Sequence, residues 1–490
     1  MKQKILTGIL AVCMTASLLA GCGNSGSTDG AAESAENSGK ADTQLSSADY
    51  DMETNYFFDD FNAHSLADEE RQGITTYESE DEVIYKDLTY EEFVDLLQQE
   101  GNYMIALAGS WCHNSRAMTP SLSRFAKEYG IDTIYTYDFD LDNNEDGNTF
   151  VRMTNGSQNA GVDFNYMYGE VIQRYLTNMD DWIEYPSSTP AAITYTNAKG
   201  EDQTIARAQQ PIAFIYNKDN TVDNSGSGSD REKYPIVYAF EKMVDRDAKG
   251  VYVKQTDDEG NEITDDDGNA IREYITEEYE AEMKEMFDFV KENNIKFSEY
   301  SKDDYMRRAY PSLKDAKEIH VKTVTYRQFS WLLQQDGDAL YMVGGAYDKA
   351  TQAEIAKVNK KAEEANVNVY LFDPYVDGKI CEDDWGYTNT GDIMKSASIQ
   401  FMYTNLTENA LTNLTTDELN PKDESTCLTY TNGAGRDITV PVLKTPYVFA
   451  YNKAATDADG VSASVTAYSE SEDTLDTVFD AYAGIFPEEE

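Results

Sequence analysis

The stretch KDLTYEEFVDLLQQEG at positions 86–101 returns as KTVTYRQFSWLLQQDG at 322–337. Nine of the sixteen positions are identical, without a gap, at an offset of 236. Working outward, LTN at 176–178 returns at 411–413 and TYTN at 194–197 returns at 429–432. QPIAFIYNK at 210–218 returns as TPYVFAYNK at 445–453, and these three matches share an offset of 235. Collinear matches with one net indel mean that a whole domain occurs twice. The period is far beyond that of a solenoid, whose units run to about 20–50 residues.

Each copy carries the same order of signals. A short strand (Val83–Tyr85; Ile319–Val321) leads to a helix with apolar spacing at Phe93, Leu96 and Leu97, or Phe329, Leu332 and Leu333. An apolar run at 103–108, or 340–343, reads as a buried strand. A helix at 115–129 or 351–365 follows, then a strand at 133–137 or 367–372. Further strands are expected at 192–196 and 212–216, with counterparts at 428–431 and 447–451. Helices at 277–292 and 473–485 close the copies. Strand, helix, strand, helix, strand implies an α/β fold with a central mixed sheet flanked by helices. Copy one is expected over 78–300, a linker over 301–317 and copy two over 318–490. Copy one holds an insertion near 219–275, with a linker-like run at Asn224–Ser229 and acidic turns at 257–261 and 265–269.

The N-terminus has a different character. Lys2 and Lys4 precede an apolar segment too short to span a bilayer stably. It ends in Leu19-Ala20-Gly21-Cys22, which resembles the bacterial lipobox. That resemblance implies cleavage after residue 21 and lipid on the Cys22 thiol. Each buried methylene contributes about 0.8 kcal/mol, so two or more acyl chains make a lasting anchor. Residues 22–75 are then expected as a flexible tether of Gly, Ser, Ala, Asn and acid. The implied location is the extracytoplasmic face of a membrane, as on a Gram-positive cell surface.

Composition narrows the partners. Ninety acidic residues stand against 40 basic ones, a formal charge of −50. Such a field repels nucleic acid and anionic lipid headgroups. Aromatics make up 12% of the chain, which separates it from disordered acidic proteins. The three histidines (His64, His113, His320) are far apart, and no Cys/His spacing fits zinc. Asp142, Asn144 and Asp146 fit the start of a calcium loop, but Met153 stands where an EF-hand needs a bidentate Glu. The alternative is an acidic connecting loop. No cofactor is expected.

A buried strand in copy one runs into Ser110-Trp111-Cys112-His113-Asn114-Ser115 and then a helix containing Pro120. This resembles the thioredoxin superfamily, whose site is Trp-Cys-x-x-Cys at a strand-to-helix junction. The resemblance implies a nucleophilic Cys112 and a cis-proline facing it, at Pro211, with Pro446 as its counterpart. A cysteine at a helix N-terminus meets free backbone N–H groups that favour thiolate, and a protonated His113 would add to this. The chain departs from the pattern in three ways. Ser115 replaces the resolving cysteine. Ala106 replaces the family's buried acid. Copy two has Tyr347-Asp348-Lys349-Ala350-Thr351 at the aligned place, so it is degenerate. Cys381 and Cys427 are candidates for a disulfide or for two unpaired thiols.

Three functions remain open: a surface binding or accessory scaffold for exported proteins or peptides, a monothiol oxidoreductase or isomerase acting through Cys112, and a solute-binding lipoprotein. The first resembles thioredoxin-like accessory proteins, including those associated with bacteriocin export.

Overall fold

The computed structural model describes residues 52–483 except 68–73, 75, 141–164, 184–191, 197–201, 209, 245–252, 258, 265–267, 269, 432–436 and 470–473, and except 377–426 apart from Met402, Leu406 and Leu411. Cys22, the calcium candidates Asp142, Asn144 and Asp146, and Cys381 lie outside the described residues.

The repeated stretch forms a strand and a capped helix in both copies. In copy one, β1 (Tyr85–Asp87) precedes α2 (Tyr90–Leu96). Thr89 caps the helix by accepting from the Glu92 amide, and the Glu92 carboxylate accepts from the Thr89 amide. In copy two, β8 (Val321–Val324) precedes α7 (Tyr326–Leu332), and Thr325 and Gln328 make the same capping box. The identical glycines that end the stretch, Gly101 and Gly337, have φ of +115° and +101°, a region that suits glycine.

The remaining elements build two sheets of one topology. Copy one adds β2 (Tyr103–Leu107), α3 (His113–Glu128), β3 (Ile134–Tyr137), β6 (Ile212–Tyr216) and β7 (Ile236–Phe240). The strand order is β1-β3-β2-β6-β7, parallel through β2 and antiparallel beyond it. Copy two adds β9 (Ala339–Val343), α8 (Lys349–Ala365), β10 (Val369–Phe372), β13 (Tyr447–Tyr451) and β14 (Val465–Ser469), in the order β8-β10-β9-β13-β14. Ile105 pairs with Phe214, and Tyr341 pairs with Phe449. Two hairpins stand beside the sheets, β4 (Ala192–Thr196) with β5 (Asp202–Ala206), and β11 (Cys427–Thr431) with β12 (Asp437–Pro441). A short helix, α4 (Asn165–Glu170), precedes the first hairpin, and helices α5 (Glu277–Glu292) and α9 (Leu475–Ala483) close the copies. The protein is α/β, with two mixed five-stranded sheets flanked by helices, an arrangement consistent with tandem thioredoxin-like domains.

Four expectations are corrected. Part of the expected tether is folded: α1 (Met52–Ala67) buries Tyr56, Phe57 and Phe61, and Phe57 stacks on Tyr85 at 4.4 Å. Its aromatic residues outweigh its acid-rich composition. The expected linker holds α6 (Lys302–Ala309), capped by Ser301, with Tyr305 and Met306 buried. The expected insertion contains β7, the edge strand of the main sheet. The extra chain of copy one is therefore 241–276, where Lys254 faces Arg272 across a hairpin. The run at 224–229 wraps the Asp223 carboxylate, which accepts from the Ser225 hydroxyl and the Gly226 and Gly228 amides. The first strands also begin two residues later than expected. The Val83 amide is taken by the Glu80 carbonyl, and the His320 amide by the Asn359 side chain.

The two copies share one core. A single apolar cluster runs from Phe93, Tyr137 and Phe214 of copy one to Phe329, Tyr341 and Phe449 of copy two. A second cluster lies on the other face of the first sheet, under α1, α3 and α5.

Candidate functional site

Cys112 is the N-cap of α3, with φ −91° and ψ 114° and no side-chain capping bond. Strand β2 and the Cys112 amide bond to the Gly109 carbonyl (3.0 Å) set it there. The thiol is nearly covered, with 7% of the residue exposed. Sγ lies 3.8 Å from the Gln210 carbonyl oxygen. The Gln210–Pro211 and Thr445–Pro446 peptide bonds are both cis, the geometry that the resemblance implied.

The neighbours are placed as follows. His113 is half-buried and meets Tyr274 edge-on at 6.5 Å, a residue of the extra segment 241–276. Ser115 is fully buried, and its hydroxyl has no hydrogen-bond partner among the described residues. Arg116 is buried and donates to the Ser110 carbonyl at 2.7 Å, tying the loop to the helix. Sequence reasoning had passed over this guanidinium. Ala106 is buried and carries no acid, as expected.

An acid is present nearby, on a different strand. Asp138 follows β3, and its side chain is 6% exposed. It accepts from Trp111 Nε1 (3.2 Å), Gln210 Nε2 (2.8 Å) and the Asp140 amide (2.9 Å). It also accepts from Arg327 Nη1 of copy two at 2.8 Å. Burial raises its pKa, and the Arg327 guanidinium opposes that rise. The connection therefore runs from copy two through Arg327, Asp138 and Gln210 to the thiol. A Cβ on Gly109 would strike the Asp138 carboxylate and the Trp111 nitrogen, and one on Gly345 would strike Asp373. The glycine–aspartate contact thus recurs in both copies.

Copy two closes what copy one leaves open. Its helix N-cap is Asp348, whose carboxylate accepts from the Ala350 amide (3.0 Å), the Thr351 amide (3.2 Å) and the Thr351 hydroxyl (2.6 Å). The positive end of α8 is satisfied internally. Only copy one presents a thiol at that place. Cys427 is buried at the start of β11, and Cys381, its candidate partner, lies outside the described residues. Among the described residues, no three His, Cys, Asp or Glu side chains are grouped to hold a metal ion. No described helix is long and apolar enough to cross a membrane.

A charged seam lies beside this site. Lys302 Nζ is 2.5 Å from Glu53 and 3.6 Å from Glu92, and donates to the Asp87 carbonyl at 2.7 Å. Burial works against its charge, but Glu53 and Glu92 hold its pKa above the ordinary value. The Thr136 hydroxyl donates to Asp87, and the Thr323 hydroxyl to Glu92. Burial pushes the Asp87 carboxyl from 3.8 up to about 6, against the pull of Arg327. The folded state therefore binds that proton more tightly than the unfolded state. This contribution is favourable below the folded value and is lost as pH rises through about 6. Urea unfolding should show the protein more stable at about pH 5 than at about pH 7.5, with Asp87 supplying about 1–1.5 kcal/mol of the difference. Asp87→Asn should remove that share; an unchanged pH dependence in the variant would count against it.

No family model matches the chain, and no characterised protein matches it. Among solved structures, the crystal structure of ERdj5 form I is similar at 10% identity, covering 60% of this chain and 23% of that chain, with a TM-score of 0.14. The matched region is under a quarter of that chain's length.

Proposed function

We propose that the protein is exported, lipidated at Cys22, and held at the outer face of a membrane as a thioredoxin-like binding or accessory protein for exported proteins or peptides. The observation that carries this reading is the asymmetry between the copies. One thiol stands at an uncapped helix N-terminus with a buried serine where a resolving thiol would be. The other copy fills that place with an aspartate cap. Such a site can hold a partner but cannot complete a dithiol cycle by itself.

A second reading is supported by the Cys112 thiol standing at the uncapped N-terminus of α3, where free backbone N–H groups favour thiolate. In it, the Cys112 thiolate attacks one sulfur of a substrate disulfide. A Cys112–substrate disulfide forms and the second substrate sulfur leaves as thiolate. An external thiol must then release the enzyme. Disulfide exchange on insulin, with glutathione as that thiol, separates the two readings. Binding alone predicts background exchange for both the wild type and Cys112→Ala. Exchange that depends on Cys112 would overturn it in favour of monothiol chemistry. Metabolic labelling with a fatty acid tests the anchor, and label retained by Cys22→Ala would sink it.

A further inference from the structure

The two copies meet around a small cleft with a free volume of about 60 Å³. Its walls are equivalent segments of the repeat, 87–91 from copy one and 323–327 from copy two. Tyr90 and Tyr326 occupy matching positions, and Tyr137, Tyr310 and Phe372 extend the aromatic lining. Carboxylates stand among these rings. Asp87, Glu91, Asp138, Asp140 and Asp373 line the cleft, and Arg327 is the one cation among the lining residues.

Arg327 is already engaged by Asp138 at 2.8 Å. Asp87 Oδ2 is buried without a hydrogen-bond donor among the described residues, and Arg327 Nη2 stands 3.8 Å away. The residue is 7% exposed and lines the cleft. Carboxylates in excess over cations at a covered site gain from an added positive charge. Grouped metal ligands are absent among the described residues. Aromatic rings set among carboxylates suit an organic cation, through charge-assisted hydrogen bonds and contact with ring edges and hydroxyls. The overall charge of −50 draws cations toward the surface.

We propose that this cleft binds an alkylammonium or alkylguanidinium group, carried by a free amine or by a lysine or arginine side chain of a peptide. Cys112 is not among its lining residues, and reaches the cleft only through Gln210 and Asp138, so the amine titration and the disulfide-exchange assay read different groups. The two readings therefore fail independently.

Calorimetric titration of the full chain with cadaverine, agmatine and the capped tripeptide Gly-Lys-Gly tests this, at about 0.15 M salt to screen the surface. Saturable one-site binding is expected for at least one probe. It should weaken about tenfold or more in Asp87→Asn and in Asp373→Asn, a loss on the scale of one charge-assisted contact. Cys112→Ser should bind like the wild type. Binding by the amines assigns a free ligand, and binding by the tripeptide alone assigns a peptide side chain. A salt titration of the wild type needs no variant, and affinity at a covered site should persist at about 0.5 M salt. No saturable binding, equal binding by all variants, or loss of binding at high salt would each overturn the proposal.

Discussion

Replacing Arg327 with methionine should lower the unfolding free energy by about 3–5 kcal/mol, the usual consequence of leaving one partner of a buried ion pair alone. Arg327 lies at the start of α7 with 8% of its surface exposed. It holds Asp138 at 2.8 Å, faces Asp87 at 3.8 Å, and its guanidinium carbon lies 5.9 Å from the Tyr56 ring centroid. Removing it strands the Asp138 carboxylate between Trp111 and Gln210. Urea unfolding would measure the loss. The double variant Arg327→Met/Asp138→Asn should recover more than half of it, because the stranded charge is then gone. Alkylation of Cys112 should be faster in Arg327→Met than in the wild type, because Gln210 bridges Asp138 and the thiol. A loss below about 1 kcal/mol, typical of an exposed pair, would mean that the seam is solvated and does not join the copies.

Phe93→Ala and Phe329→Ala should each cost about 3–5 kcal/mol through lost burial and the cavity left behind. Both residues are fully buried. Phe93 stacks on Tyr137 at 4.9 Å, and Phe329 stacks on Phe372 at the same distance. The contact is therefore repeated between the copies along with the sequence. The two sites belong to one cluster that crosses the domain boundary. Each substitution should accordingly shift one common unfolding transition, seen alike by circular dichroism and by tyrosine fluorescence. Two separate transitions, each moved by its own substitution alone, would show that the copies fold independently.

The sequence carried the fold at the level of single copies. The repeat, the capping boxes and the apolar runs are local signals, and the helices and central strands fell within a few residues of their expected places. The thiol at a strand-to-helix junction was also legible from its short motif, and the cis-prolines are what the resemblance implied. What escaped depends on long-range packing. Helix α1 sits in acid-rich chain whose few aromatics matter only once a sheet is there to cover. Strand β7 lies in chain that looked inserted, and only pairing with β6 makes it an edge strand. Asp138 gave no motif, since it reaches the site from β3 rather than from β2.

The charge differences between the copies divide the problem most clearly. By itself the sequence determined that Asp87, Glu91 and Glu92 of copy one become Thr323, Arg327 and Gln328 in copy two. It also determined that only copy one keeps a cysteine ahead of its second helix. Only the tertiary structure decided that the two versions of that segment face each other across a buried cleft. Three acids opposed to their own copies in a covered space would repel strongly. An arginine and two neutral residues on one side let the copies join around Asp87, Glu92 and Asp138. Which charges meet is a property of the packed pair, and no local pattern in either copy encodes it.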